Sequence, residues 1–189
     1  MLRTFAVAVA LAAVGSAAQA QPYDPAARIA AQKQAMKALD RIDGRWRGTA
    51  WKLEGATRHE LVQTERVGSF LDGAVKVIEG RGYEPDGRVG FNAIAIVNFD
   101  PATGKYALQS NAQGFSGTMK LWPKENGFVW EAPAGPGAVI RYTAVVEGDS
   151  WHEVGERVAG EAPPVKVFEM KLKRIGDTDW PRADPVPQQ

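Results

Sequence analysis

From Gly44 onward, apolar and polar residues alternate in short runs broken by turn-forming residues. The cleanest run covers 115–122. Phe115, Gly117, Met119 and Leu121 fall on one side of an extended chain, and Ser116, Thr118 and Lys120 on the other. That alternation marks a half-buried antiparallel strand. Comparable runs cover 46–52, 61–70, 74–83, 90–99, 105–110, 128–132, 138–147, 151–158 and 165–174. Pro85-Asp86-Gly87, Asp100-Pro101-Ala102-Thr103-Gly104 and Asn126-Gly127 separate them, and each is rich in residues that favour tight turns. The pattern predicts an all-β, antiparallel meander of about ten strands that closes into a barrel or sandwich.

One segment before Gly44 has a different period. Asp24-Pro25 supplies an N-cap and a first-turn proline. Ile29, Met36, Leu39 and Ile42 then recur at roughly helical spacing until Gly44 stops the run. An amphipathic helix over 24–42 is expected, either capping an open barrel end or packing on a partner. At the other end, 177–189 contains three prolines and no apolar period, and reads as a disordered tail.

Residues 1–20 read as a signal peptide. Arg3 is followed by an unbroken apolar stretch from Phe5 to Val14 and by Ala18-Gln19-Ala20, a small-residue cleavage site. The stretch is well short of the ~20 residues a spanning helix needs. The expected organisation is therefore a signal peptide at 1–20, the helix within 21–43, one barrel domain over 44–176 and the tail. A periplasmic or secreted location follows, with no membrane insertion after cleavage.

Charge and composition narrow the chemistry. The chain has 23 Lys and Arg against 22 Asp and Glu, and loss of 1–20 removes only Arg3, which leaves the remainder neutral. A neutral chain has no electrostatic case for gripping nucleic acid. It has no cysteine, which excludes disulfides, thiol nucleophiles and thiolate metal sites. Only His59 and His152 are available as imidazoles, so metal and Ser–His–acid chemistry have little to draw on. No phosphate loop, dinucleotide fingerprint or Gly-x-Ser-x-Gly is present. No metal and no catalytic residue is assigned.

Several motifs carry a family likeness: Gly44-Arg45-Trp46-Arg47-Gly48, Gln63-Thr64-Glu65-Arg66, Glu79-Gly80-Arg81-Gly82, Asp100-Pro101-Ala102-Thr103-Gly104-Lys105-Tyr106, Phe128-Val129-Trp130-Glu131, Trp151-His152-Glu153-Val154-Gly155-Glu156-Arg157 and Phe168-Glu169-Met170. Together they span most of 40–180 and resemble the lipocalin-like (calycin) superfamily, specifically a secreted bacterial group with no assigned activity. The resemblance implies a calycin-like barrel with Trp46 plugging one end. Nitrobindin-like haem proteins, a nearby calycin group, repeat glycine at alternate positions after that tryptophan and place arginine four residues after a histidine. Here Gly48 is followed by Ala50 and Lys52, and Glu156 stands four after His152. No haem or other cofactor is expected.

The candidate ligand-binding residues are Glu79, Arg81, Trp130, Tyr142, Glu153 and Glu156. Alternation puts Glu79 and Arg81 on one face with Val75, Val77 and Tyr83. The other face, Lys76, Ile78, Gly80 and Gly82, is poor core material. Glu79 and Arg81 are therefore expected inward, with a structural or outward-facing pair as the alternative. Phe128 and Trp130 share a face, and Tyr142 lies on the inward set Ile140, Tyr142, Ala144 and Val146. Glu153 and Glu156 share a face only if Gly155 supports a bulge.

The leading expectation is an exported barrel binding a small apolar molecule. The alternatives are an envelope interaction protein with a filled barrel and an unidentified partner, and a cofactorless enzyme using Glu153 and Glu156.

Overall fold

The computed structural model describes residues 24–181 and 187. The expected signal peptide lies outside the described residues. A helix, α1 (Pro25–Met36), leads through a 3₁₀ segment (Lys37–Ile42) into ten strands. These are β1 (Gly44–Glu54), β2 (Thr57–Phe70), β3 (Val75–Tyr83), β4 (Val89–Asp100), β5 (Lys105–Ala112), β6 (Phe115–Lys124), β7 (Gly127–Pro133), β8 (Ala138–Glu147), β9 (Ser150–Ala159) and β10 (Val165–Gly176). Every pairing is antiparallel between sequence neighbours, and β1 also pairs with β10, which closes the barrel. Each strand expected from alternation is present.

Asp24 Oδ1 accepts hydrogen bonds from the amides of Ala26 (3.0 Å) and Ala27 (3.1 Å), which starts α1 at Pro25. Met36, Leu39 and Ile42 are buried against Trp46, Val67, Val97 and Val146 and close one end of the barrel. Ile29, expected in the same stripe, is instead exposed. Bonds between side chains and backbone carbonyls help latch this plug to the strands. The Tyr106 hydroxyl donates to Ala35 O (2.8 Å), Gln32 Nε2 to Phe99 O (3.2 Å) and Arg41 Nη1 to Val146 O (3.2 Å). The Trp46 indole N–H donates to Ile42 O at 2.9 Å, so the same ring that fills the barrel end also ties down the last turn.

A buried cation sits beside the plug. Lys76 is fully buried, with Nζ 2.8 Å from Asp40 Oδ1, 2.7 Å from Asp43 Oδ2 and 3.1 Å from Ser69 Oγ. Burial raises the Asp43 carboxyl pKa against the opposing pull of Lys76, and its Oδ1 has no hydrogen-bond partner among the described residues. Removing the lysine charge strands that carboxylate. Lys76→Met is expected to destabilise by about 3 kcal/mol, with part of the loss recovered in Lys76→Met/Asp43→Asn. Urea denaturation of both variants checks this, and an unchanged midpoint for the single variant contradicts it.

The chain after β10 departs from the expected disorder over 177–181. Trp180 packs edge-on against Phe70 at 5.9 Å, with the Arg66 guanidinium 4.0 Å from its ring. Asp179 pairs with Arg66 at 3.4 Å. The outward faces of Arg66 and Phe70 on β2 give this short segment a docking place. Among the described residues, no helix is long and apolar enough to cross a membrane.

Candidate functional site

Inside the barrel, away from the plug, lies a cavity of about 350 Å³. Its wall is mostly apolar, drawn from inward positions of β2–β10. Trp130 and Tyr142, opposite each other on β7 and β8, stack with ring centroids 4.0 Å apart and planes 5° from parallel. Phe168 abuts Tyr142 edge-on at 5.6 Å. Phe115, at the β5–β6 hairpin, lines the cavity while remaining largely exposed, so it marks the rim of the end opposite α1.

Two carboxyl groups interrupt this apolar wall. Glu153 is buried on β9, its Oε1 accepting from the Trp130 indole N–H at 2.9 Å and its Oε2 from that of Trp151 at 3.2 Å. Burial pushes its pKa up to about 7, although both indole bonds favour the charged form. Glu65 on β2 accepts from Gln63 Nε2 at 2.7 Å through Oε1, while its Oε2 has no hydrogen-bond partner among the described residues. Burial pushes Glu65 up to about 8, with further upward contributions from the charges of Glu153 and Glu79. Burial likewise takes the Tyr142 hydroxyl up to about 12, with Glu153 adding to it.

Glycines make room for these groups. A Cβ at Gly80, paired with Glu65 on β3, would lie 2.9 Å from both Glu65 carboxylate oxygens. A Cβ at Gly155 would lie 2.8 Å from the Tyr142 ring. Gly155 is thus an inward gap that admits the Trp130–Tyr142 stack, and the β8–β9 register runs through it without a bulge.

Three expected site residues are corrected by this geometry. Glu79 and Arg81 lie on the outer face of β3, because Lys76, Ile78, Gly80 and Gly82 are the inward set. Glu79 is held there by Arg66 and Arg81, each at 2.7 Å. Glycine looked like poor core material, yet its missing side chain is what gives the Glu65 and Leu61 side chains of neighbouring β2 room to lie over β3. Glu156, lacking a bulge at Gly155, faces away from Glu153 and outside the cavity, opposite Arg141 on β8. Glu153 and Glu156 therefore do not form a carboxylate pair. Trp130, Tyr142 and Glu153 do meet in the cavity.

Glu65 was missed. It stands two residues from Gln63 and two from Val67, both buried, so strict alternation along β2 would have placed it inward.

Neither histidine lines the cavity. His152 Nε2 lies 2.9 Å from Glu169 on the outer face, where that contact leads those holding the Glu169 carboxyl down to about 2. His59 lies beside Glu54 at 3.6 Å. Among the described residues, no group of three or more His, Cys, Asp or Glu is arranged to hold a metal ion.

No protein-family model matches the chain, and no curated protein matches it. Solved structures do. The crystal structure of Rv2717c from M. tuberculosis aligns with a TM-score of 0.56 at 13% identity, covering 74% of this chain and 96% of that one. Similarity at that identity establishes a shared barrel fold.

Proposed function

We propose that this is an exported, calycin-like barrel that sequesters or carries a small, largely apolar molecule. The observation that carries the reading is the cavity of about 350 Å³ lined by the Trp130–Tyr142 stack. That volume lies within the range of small-molecule sites, as does a mainly apolar wall with a few polar groups. A filled barrel serving only as an interaction scaffold would leave no such space. Export rests on the sequence of 1–20, and the calycin assignment on the motifs quoted above together with the closed barrel.

N-Phenyl-1-naphthylamine, a neutral apolar fluorophore, tests the reading directly. Fluorescence enhancement with a dissociation constant of about 10 μM or tighter is expected, at a 1:1 ratio. Ala93→Phe, which places a ring in the lumen from β4, should weaken binding at least ~10-fold by occupying the space, while circular dichroism stays that of the barrel. Absence of enhancement, or equal binding by Ala93→Phe, rules the reading out.

A further inference from the structure

The cavity's polar groups specify more than apolar character. Among the described residues its lining contains no Lys, Arg or His, and its titratable groups are Glu65, Glu153 and Tyr142. Lys76, an inward cation on β3, is engaged at the plug by Asp40, Asp43 and Ser69 and does not line the cavity. An anionic ligand would therefore meet two acids and no counter-charge. We infer that the cognate ligand is a hydrophobic amine, its apolar body against the Trp130–Tyr142 stack and its protonated nitrogen held by the Glu65 and Glu153 carboxylates. This rests on the cavity-binding reading above and adds the ligand's charge.

The surroundings of each carboxyl support the assignment. Glu65 faces Trp46 across the β1 register and Gly80 across β3, and neither offers a charge. Gln63 satisfies one oxygen and leaves Oε2 open. The charges it feels, from Glu153 and from Glu79 on the outer face, are both negative, although Arg66 and Arg81 pair with Glu79. Glu153 faces Ala144 on β8 and Met170 on β10, and its nearest polar neighbours are the Trp130 and Trp151 indoles. Each Glu153 oxygen has accepted one hydrogen bond and retains a second lone pair. An ammonium group brings three donors and the missing positive charge, and relieves the repulsion between two acids in one low-dielectric space.

Binding is coupled to protons. Near neutral pH the enclosed Glu65 carboxyl is substantially protonated, and a cation stabilises its ionised form, so a proton leaves as the amine enters. Affinity for an amine should rise from pH 6 to pH 8.5, by up to about tenfold per pH unit for each proton released.

Three probes of matched shape separate charge from apolar fit: 3-phenylpropylamine, 3-phenylpropan-1-ol and 3-phenylpropionate, titrated calorimetrically at pH 6 and 8.5. The amine is expected to bind at least ~10-fold tighter than the alcohol at pH 8.5, with the propionate weakest, and the advantage should shrink towards parity at pH 6. In Glu65→Gln the preference should collapse while alcohol binding persists, and Glu153→Gln should reduce it in the same direction. At pH 7.5, heats measured in buffers of different ionisation enthalpy should report proton release for the amine only. If the alcohol binds and the amine gains nothing, or if both variants keep the full preference, the charge assignment is overturned and the cavity reading stands. If none of the three binds, the amine assignment is overturned, while the cavity reading stands or falls with the fluorophore titration.

Discussion

Trp46→Ala is expected to lower the melting temperature by about 10 °C. The ring is almost completely buried in the plugged end, edge-on to Trp151 at 5.6 Å, and Trp151 is in turn 5.9 Å from Phe128. Truncating a tryptophan in such a site costs about 3–5 kcal/mol, because the lost transfer energy is joined by a cavity that the closed sheet cannot collapse into. For a domain of this size each kcal/mol moves the midpoint by roughly 2–4 °C. The indole also donates to Ile42 O, so the variant releases the last turn of the plug as well. Trp46→Phe separates the two effects. It keeps most of the volume and loses the hydrogen bond, and should cost about 1–2 kcal/mol. Scanning calorimetry of both variants checks the pair. A shift below about 3 °C for Trp46→Ala would show that the ring is not a structural plug.

Glu65→Gln is expected to stabilise the protein at alkaline pH and to leave it unchanged near pH 4.5. The unfolded carboxyl titrates near 4.5 and the folded one at about 8. Between those values the native state binds more protons than the unfolded chain, so stability falls as pH rises and levels off above about 8. Glu153 adds a smaller loss of the same sign that ends near 7. Glutamine keeps the shape and never ionises. At pH 9 the variant should exceed the parent by on the order of 2–4 kcal/mol, and its stability should depend less steeply on pH. Urea midpoints at pH 4.5, 7 and 9 measure this. A variant less stable than the parent at pH 9 means that the ionised Glu65 is compensated inside the barrel.

Strand alternation was enough to read the ten-strand barrel, because a sheet with one face on a core writes a period of two directly into the chain. The same rule located Trp130 and Tyr142, whose neighbours on β7 and β8 are unambiguously sided. It failed on β3. There the inward positions are Lys76, Ile78, Gly80 and Gly82, whose roles depend on partners from other elements. Lys76 is tolerable only because Asp40 and Asp43 arrive from the 3₁₀ segment and the residue after it. Gly80 is useful only because Glu65 reaches across from β2. Neither partner is visible from β3 alone. Gly155 misled for a similar reason, since a glycine that makes room for an opposite ring leaves the same local signature as one that starts a bulge. Asp177–Pro181 resisted prediction because its anchorage comes from partners elsewhere in the fold: Trp180 lies on Phe70 and Arg66, Asp179 pairs with Arg66, and Asp177 is held by Arg45 and Arg174.

The seam between β1 and β10 joins Arg47 to Lys173 and Ala50 to Met170, residues separated by more than a hundred positions. Local hairpins can zip as the chain emerges, but this last ladder must wait for the final strand. Contacts of such long sequence separation slow folding, since their loop-closure entropy is spent before any gain arrives. Until the seam forms, β1 presents unpaired amides and carbonyls along one edge, a template for intermolecular pairing. Once it forms, the sheet has no edge to recruit a neighbour. The vulnerable interval in the life of this protein is therefore the time between release of its first strand and arrival of its last.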